Sequence, residues 1–308
     1  MHGAQVYTVI ATWNGEAWIR NALQSLRNSM LPVQTVVVDN ASSDATRSIV
    51  RGDFPEVFCI ELPFNQGFGV ATNHGIRHAL NHGADYILLL NQDAMIFPDT
   101  ISELMTVMAA SPDIGIASPL HLVPAATKLE PLFHSFIASH AELVSDCLLG
   151  RMRNAYDIEF VNAAVWLVRR RVFERVGGFD PVFFMYGEDN DFCARVRYHG
   201  FRICLVPRSR ACHAGGSLPG IHETFQRSCL RATSRTIHYL KRPGHRFALS
   251  CLSYLIVWLK QIVVLLMNAS FREVAANCIG LCKAYAHLQV IRKHHQRCCT
   301  TGQVWLDF

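Results

Sequence analysis

Charge is scarce in this chain. Asp, Glu, Lys and Arg make up only 17% of its 308 residues, while 50% are hydrophobic. That balance excludes a disordered polymer, and the length is enough to bury a large core in one domain, or in one domain plus an appendage. No CxxC pair occurs among the eleven cysteines, an odd number scattered from Cys59 to Cys299. Cys278 and Cys282 stand four apart in an apolar helical pattern, which fits buried thiols better than a zinc site. The cysteines therefore point to a reducing compartment rather than a disulfide framework. The start, MHGAQVYTVIATWNG, lacks the basic region and cleavage site of a secretory leader and enters a strand at once. The net charge of +5 is modest, and no nucleic-acid partner is expected. Basic residues concentrate at 151–153, 169–171 and 291–297, either as solvated surface or as a face for phosphates or an anionic membrane.

What is present is rhythm. VYTVIAT (6–12), QTVVVD (34–39), VFCIEL (57–62), YILLLN (86–91) and IGIASP (114–119) read as strands. Between them lie helix-like stripes, such as Ala17, Ile19, Ala22, Leu23 and Leu26. Ser42 or Ser43 is the expected N-cap of the second helix, and Gly83 closes the third. Strands that are continuous apolar runs predict a parallel sheet covered on both faces. Such sheets bind ligands at the carboxyl ends of their strands. Thr12, Asp39 and Asn91 to Asp93 all sit at such ends.

From 120 to 158 the period disappears, and a long irregular segment with several histidines is expected to be a functional loop. FVNAAVWLVRR returns to strand, RVFERVGGFDPVFFMYGEDNDFCARVRYHG gives helix, Gly-Gly turn, loop and helix, and FRICLVP and SRACH read as the last two strands. Beyond about residue 220 the chain turns helical. Residues 247–267 are 21 in number with a single charge at Lys260. A span needs about 20 apolar residues, and a central lysine costs about 2.5–3.5 kcal/mol on insertion scales. The segment can lie on a membrane or pair with another helix, be buried, or span. A last helix is expected over 271–297, with a basic end suited to anionic lipid heads.

The run NQD at 91–93 ends a buried strand on two amides and a carboxylate. It is either a turn or the place where Asp93 meets a metal and a phosphate. Glu188, Asp189 and Asp191 open a helix, where acids complement the dipole. The aromatic run FFMY before them also allows a carboxylate of raised pKa, poised as a general base. NQGFGVATNHG offers a GxG before a helix, able to present N–H groups to an anion, but it lacks the third glycine of a dinucleotide fingerprint.

VVVDNASSDAT, NQGFGVATNHGI, LLLNQDAMIFPDT, GGFDPVFFMYGEDNDFCAR and HAGGS stand in the order and approximate spacing of the inverting family 2 glycosyltransferases. The chain resembles their bacterial rhamnosyltransferase-like branch over about residues 5 to 218. The resemblance implies an α/β, GT-A fold: a mostly parallel nucleotide-binding sheet flanked by helices over 1–220, with a C-terminal helical, membrane-associating extension over 221–308. It implies a nucleotide-sugar donor, dTDP- or UDP-linked, with rhamnose as the branch's sugar, and a divalent cation, Mg²⁺ or Mn²⁺. Thr12 and Asn14 would line the nucleotide pocket, and Asp39 would accept from a base ring N–H. Asn65 and Asn73 would sit near the donor, although the basic residue the family often has beside Asn73 is replaced by Thr72 and His74. The metal motif falls on Asn91-Gln92-Asp93, with Asp93 its only carboxylate, and His213 matches a position that adds a ligand in relatives. Asp189 matches the general base, Glu188 a group for sugar hydroxyls, and Asp191 a helix cap. The acceptor would be a lipid-linked saccharide or polysaccharide at the inner face of the cell membrane, chosen in part by the histidine-rich loop at 121–140. A nucleotidyltransferase would need a Gly-rich basic loop near the first strand, which TWNGEAW lacks. A degenerate sugar-binding module is the remaining alternative.

Overall fold

A computed structural model describes residues 3–215 and 224–306. The expected boundary at 220/221, and Gly216 and Ser217 of HAGGS, lie outside the described residues. The first strands fall where the apolar runs predict: β1 (Val6–Thr12), β2 (Gln34–Asp39), β3 (Phe58–Glu61) and β4 (Tyr86–Leu90). They are joined by α1 (Ile19–Arg27), α2 (Thr46–Asp53) and α3 (Phe68–Asn81) and form a parallel block in the order β3-β2-β1-β4.

Alternation assigns each strand to two cores. Val9, Val36, Val38, Ile87 and Leu89 point to the face covered by α3, whereas Ile10, Val37, Leu88 and Leu90 point to the face covered by α1. This two-sided burial explains why the strands are continuously apolar.

The rest of the sheet departs from the parallel expectation. Next come β5 (Ala94–Ile96), α4 (Thr100–Ala110), β6 (Ile114–Leu122) and β8 (Val165–Arg169), and β8 inserts antiparallel between β4 and β6. The single strand β9 (Arg202–His213) runs parallel to β6 and antiparallel to β5 and to the two-residue β7 (Tyr156–Asp157). The sheet is thus parallel in one half and mixed in the other. FRICLVP and SRACH are one strand, interrupted by a register shift opposite Pro119/Leu120. Reversing β8 brings its amino end to the carboxyl end of β4: Leu90 pairs with Val165, and the Asn91 N–H donates to the Ala164 carbonyl at 2.9 Å.

The aperiodic segment holds two short helices, α5 (Pro131–Ile137) and α6 (Ala141–Leu148). At two turns each they are too short to show a period. Glu130 caps α5, accepting from the Phe133 N–H at 2.7 Å. The α2 N-terminus is also capped differently from expectation. Asp44 accepts from the Thr46 N–H at 3.0 Å, while Ser42 Oγ is occupied by the Asn14 N–H at 2.9 Å.

After α7 (Arg170–Val176) and α8 (Glu188–Tyr198), the chain forms α9 (Phe225–Leu240), α10 (Phe247–Met267), α11 (Phe271–Ala286) and α12 (Leu288–Cys298). The expected last helix is therefore two helices, meeting at His287. Leu306 packs into the core beneath α3, and Gly178 N–H donates to the Val304 carbonyl at 2.9 Å. A buried ionic group ties α9 to α8. Lys241, Asp180 and Asp191 are each 1% exposed or less; Lys241 Nζ reaches Asp180 at 2.6 Å and also contacts Asp191. Arg195 pairs with Asp191 at 2.8 Å, so Asp191 is an ion-pair partner rather than a helix cap. Burial opposes the charge on Lys241, but Asp191 and Asp180 hold its ammonium above the usual lysine range.

Candidate active site

The loops after β1, β2 and β4 meet at one edge of the sheet, around a cavity of about 200 Å³ lined by Thr12, Trp13, Asn40, Asn65, Asn91 and Asp93 among others. Gln92 joins two of these loops: its Oε1 accepts from Thr12 Oγ1 at 2.6 Å and from the Trp13 N–H at 2.9 Å. Asn40 joins the loop after β2 to the one after β3, donating to Asn65 Oδ1 at 2.9 Å and accepting from the Gln66 N–H at 2.8 Å. Sequence reasoning gave Gln92 no role of its own within the Asn91-Gln92-Asp93 run and did not single out Asn40. Both lay inside the motifs it quoted, one residue from a carboxylate.

Asp93 stands at the rim of this cavity. His213, delivered by the end of β9, places Nε2 3.5 Å from the Asp93 carboxylate and 3.4 Å from Asn91 Nδ2. Burial disfavours ionisation of Asp93, yet His213 and the backbone N–H groups of Asp93 and Gly215 hold its carboxyl below the usual range. Asn91 Oδ1 and His213 Nδ1 are buried without a partner among the described residues. An ionised carboxylate, an orphaned amide oxygen and an imidazole fit a hard divalent cation completed by other oxygen ligands. His121, 6.2 Å from His213 between ring centroids, is fully buried and pushed down to about 3 by burial and the neighbouring imidazole. It is neutral and leaves the charge to Asp93.

A second cavity of about 390 Å³ lies on the other side of the 184–189 turn. Met185 lines the first, and Tyr186, Glu188 and Asp189 line the second, with Phe136 and Phe160 as apolar walls. Tyr186 has φ +68°, strained backbone of the kind that collects at functional sites, and Gly187 continues the turn at φ +81°, which glycine adopts freely. Burial raises the carboxyl of Asp189, while the N–H and side-chain amide of Asn190, donating at 2.8 and 3.0 Å, pull the other way. Burial and the adjacent Asp189 push Glu188 up to about 8, and one of its oxygens has no partner among the described residues. Both carboxyls are thus raised by burial, and each disfavours ionisation of the other, so the pair holds on to a proton more readily than two free carboxyls would.

The glycine before α3 is required by a close approach of backbone. A Cβ on Gly67, whose φ is +85°, would lie 2.2 Å from the Phe184 carbonyl oxygen. That oxygen accepts from the Phe68 N–H at 3.1 Å, so Gly67 admits the turn that carries Asp189.

Thr12, Asn65, Asn91 and Asp93 thus gather at the first cavity, with His213 against Asp93, and Glu188 and Asp189 gather at the second. Asn14 and Asp39 support the first from outside its lining. Asn14 Oδ1 accepts from the Ser43 N–H at 2.9 Å, and the Asp39 carboxylate accepts from the Ser42 N–H at 3.2 Å. Asn73 does not reach the donor side. Its amide is 1% exposed and is consumed by backbone: it donates to the carbonyls of Phe179 at 2.8 Å and Trp305 at 3.2 Å and accepts from the Phe179 N–H at 2.8 Å. Asp180, Asp191 and Cys298 also lie close together, but the Lys241 ammonium already sits among the carboxylates.

Comparison with known proteins bears on the family and the fold. Residues 7–177 match the family model for glycosyl transferase family 2, and 150–214 match one described as the N-terminal domain of galactosyltransferase. The low-salt glycan biosynthesis hexosyltransferase Agl10 of Haloferax volcanii is 29% identical over 63% of this chain and 62% of its own length. The N-acetylglucosaminyl-diphospho-decaprenol L-rhamnosyltransferase of Mycobacterium tuberculosis is 27% identical over 59% of this chain and 66% of its own. The dTDP-rhamnosyl transferase RfbF of Shigella flexneri is 27% identical over 69% and 70%. The chain thus spans a little under two thirds of the first two relatives. A mannosyltransferase from Pyrobaculum calidifontis, solved with GDP-Man and Mn²⁺, superposes with a TM-score of 0.62 over 98% of this chain and 84% of its own at 20% identity, which shows the shared fold. A central sheet flanked by helices in this order is the GT-A fold, and the chain belongs to glycosyl transferase family 2.

Proposed function

We propose that the chain transfers a sugar from a dTDP- or UDP-linked donor to a hydroxyl of a lipid-linked or polysaccharide acceptor, with inversion at the anomeric carbon. The observation that carries the reading is the pair of cavities on either side of the 184–189 turn, one holding Thr12, Asn91 and Asp93 and the other Asp189. The donor occupies the first, its nucleotide against the β1 and β2 loops. Rhamnose is the sugar favoured by the names of two relatives.

The acceptor hydroxyl enters the second cavity and gives its proton to the Asp189 carboxylate. Its oxygen forms a bond to the anomeric carbon as the bond to the nucleoside diphosphate breaks, one displacement that inverts the centre. Burial that raises Asp189 strengthens it as a base, and protonated Glu188 is free to donate to a sugar oxygen. A divalent cation on Asp93, His213 and the orphaned oxygen of Asn91 would supply positive charge for the leaving diphosphate.

The site works at a membrane surface in this reading. Among the described residues α10 is the one helix long and apolar enough to cross a bilayer, and it is largely unburied. Leu252, Ile256, Leu259, Val263 and Met267, spaced three or four apart, are all exposed. Lys260 and Gln261 on the same helix favour lying in the interface. Co-sedimentation with anionic vesicles, lost on Ile256→Glu/Val263→Glu, tests this; equal sedimentation of the variant overturns it.

The donor assignment is tested by thermal stability against dTDP-, UDP- and GDP-sugars with Mn²⁺, Mg²⁺ or chelator. Ligand at 100 times Kd adds about 2.7 kcal/mol. A shift with one nucleotide class, requiring metal and lost in Asp93→Asn, is the expected result. No shift with any nucleotide sugar in folded protein would point instead to a degenerate binding module.

A further inference from the structure

Residues 302–306, far from the site in sequence, return to the Gly177-Gly178 turn that opens the segment leading to Asp189. The Gly178 N–H donates to the Val304 carbonyl at 2.9 Å, and the Gly302 N–H donates to the Arg175 carbonyl at 3.0 Å. The fit leaves no room for side chains on the turn. A Cβ on Gly177 would lie 2.2 Å from the Val304 carbonyl oxygen, and one on Gly178 would lie 2.8 Å from Leu306 Cδ2. The glycine pair is the seat of a strap formed by residues 302–306.

Trp305 extends the strap's contact from the turn to helix α8. Its ring is buried, 4.7 Å from the Arg195 guanidinium and 5.4 Å from the Lys241 ammonium, and it stacks on His294 at 6.0 Å. Cations over an indole face are attracted by the ring quadrupole, more strongly where water is excluded. Arg195 lies on the helix that begins with Glu188 and Asp189. It donates to the carbonyls of Val176 at 3.0 Å and Gly178 at 2.8 Å. The Trp305 carbonyl accepts from the Asn73 amide at 3.2 Å, and the oxygen of that amide accepts from the Phe179 N–H at 2.8 Å. Trp305 holds this place at φ +64°, a conformation that bulky residues keep only where their surroundings over-determine it. Its Nε1–H has no partner among the described residues, so the ring is held by its faces.

From these contacts we infer that Trp305 is a positioning residue for sugar transfer: through Arg195 and the Gly177-Gly178 turn it sets where the segment 179–189 places the Asp189 carboxylate. This rests on the transferase reading above and deepens it. Phe184, midway along the segment, is held by the Phe68 N–H at the start of α3, and the strap supplies the anchor at the segment's beginning. Phe179 packs on Phe192 of α8 at 5.0 Å, so a shift of the turn passes to the helix. A misplacement of about 1 Å caused far from the chemistry can cost about 10²-fold in rate. Neither Trp305 nor Asn73, Arg195, Lys241 or His294 lines the donor cavity, so donor binding does not depend on the ring.

The test compares the full chain as wild type, Trp305→Ala, Trp305→Phe and Leu306→Ala, with Leu104→Ala as a control for lost stability. Leu104 is fully buried on α4 in the other core, away from the strap. Hydrogen exchange reads the amides of Gly178 and Phe179, and calorimetry reads the affinity for dTDP-rhamnose and UDP-sugars. Steady-state kinetics reads transfer from the same donors to a prenyl-diphosphate-linked saccharide, below the Tm of every variant. Trp305→Ala should speed exchange at both amides and lower kcat at least about tenfold, with nucleotide-sugar affinity within a few-fold of wild type. Trp305→Phe, which keeps a ring face, should recover most of kcat. Leu306→Ala should show the same changes at smaller amplitude, and Leu104→Ala should lose stability alone. Exchange or kcat like wild type in Trp305→Ala, or in Leu306→Ala where the first does not fold, overturns the inference. So does an equal loss of kcat in Leu104→Ala. Faster exchange in Trp305→Ala of a chain that binds no nucleotide sugar would keep the strap's hold on the turn and refute the transferase reading instead.

Discussion

Replacing Lys241 by methionine should be among the most damaging single changes in this chain. The side chain is 0% exposed and its ammonium touches Asp180 and Asp191, themselves 0% and 1% exposed. Methionine conserves the stem but strips both carboxylates of their shared counter-charge, leaving Asp191 with Arg195 and Asp180 with His294, 2.5 Å from its carboxylate. Removing one partner from a buried pair costs about 3–5 kcal/mol. At about 2.1 cal/mol/K per residue, unfolding a chain of this length carries on the order of 0.65 kcal/mol/K, so Tm should fall by about 5–8 °C. The pH dependence adds a signature. In the wild type, burial works against Asp180 but Lys241 and His294 hold its pKa below the usual carboxylate range. Its contribution is therefore present above the unfolded pKa and is lost only as pH falls through the lower folded value. Without the lysine, burial raises the same carboxyl, so the variant is penalised most at high pH and the gap to wild type narrows towards pH 5. Scanning calorimetry at pH 5 and pH 8 reads both effects. A Tm within 1 °C of wild type at pH 8, or a gap that widens on acidification, would refute the reasoning. Lys241→Met/Asp180→Asn should recover part of the loss, because it removes one stranded charge along with its partner.

Other expectations follow from the catalytic turn. Glu188 has a folded-state pKa of about 8 against an ordinary 4.5, so its ionisation opposes folding. Wild type should lose stability as pH rises from 4.5 to 8, and Glu188→Gln should remove a dependence on the order of a few kcal/mol. Parallel Tm-against-pH curves for the two proteins would contradict this. Gly67 combines φ +85° with ψ 166°, a region that is nearly glycine-only and costs other residues about 1–3 kcal/mol. Gly67→Ala must also push the Phe184 carbonyl aside, so sugar transfer should drop further than donor binding. Transfer kinetics equal to wild type would count against the role given to the turn.

Much of the nucleotide half could be read from the sequence because its signals are local. β1 and β4 are bounded by the polar residues that end their apolar runs, and the 21 residues of α10 coincide with the apolar stretch 247–267. Asp93 and Asp189 stood out because carboxylates interrupt hydrophobic or aromatic runs. What escaped depends on distant partners. Asn73 looks like a donor-side amide until its bonds to backbone 106 and 232 residues away are known. Lys241 looks like one more basic residue in YLKR until Asp191, 50 positions earlier, is placed beside it. β8 reads as a strand, but nothing local in it fixes its direction, so the antiparallel insertion that carries Ala164 to the site edge was invisible. Gly67 invited a phosphate-loop reading because a sequence shows that a glycine is present and not what presses against it.

The central claim is that Asp189 takes the acceptor proton while the donor is held across the turn. The most direct test is Asp189→Asn, assayed for sugar transfer to a prenyl-diphosphate-linked saccharide and, separately, for nucleotide-sugar binding by thermal shift. The account predicts a transfer rate lower by at least about 10²-fold, the ordinary contribution of a positioned general base, with the nucleotide-sugar shift preserved. Transfer within a few-fold of wild type would contradict it.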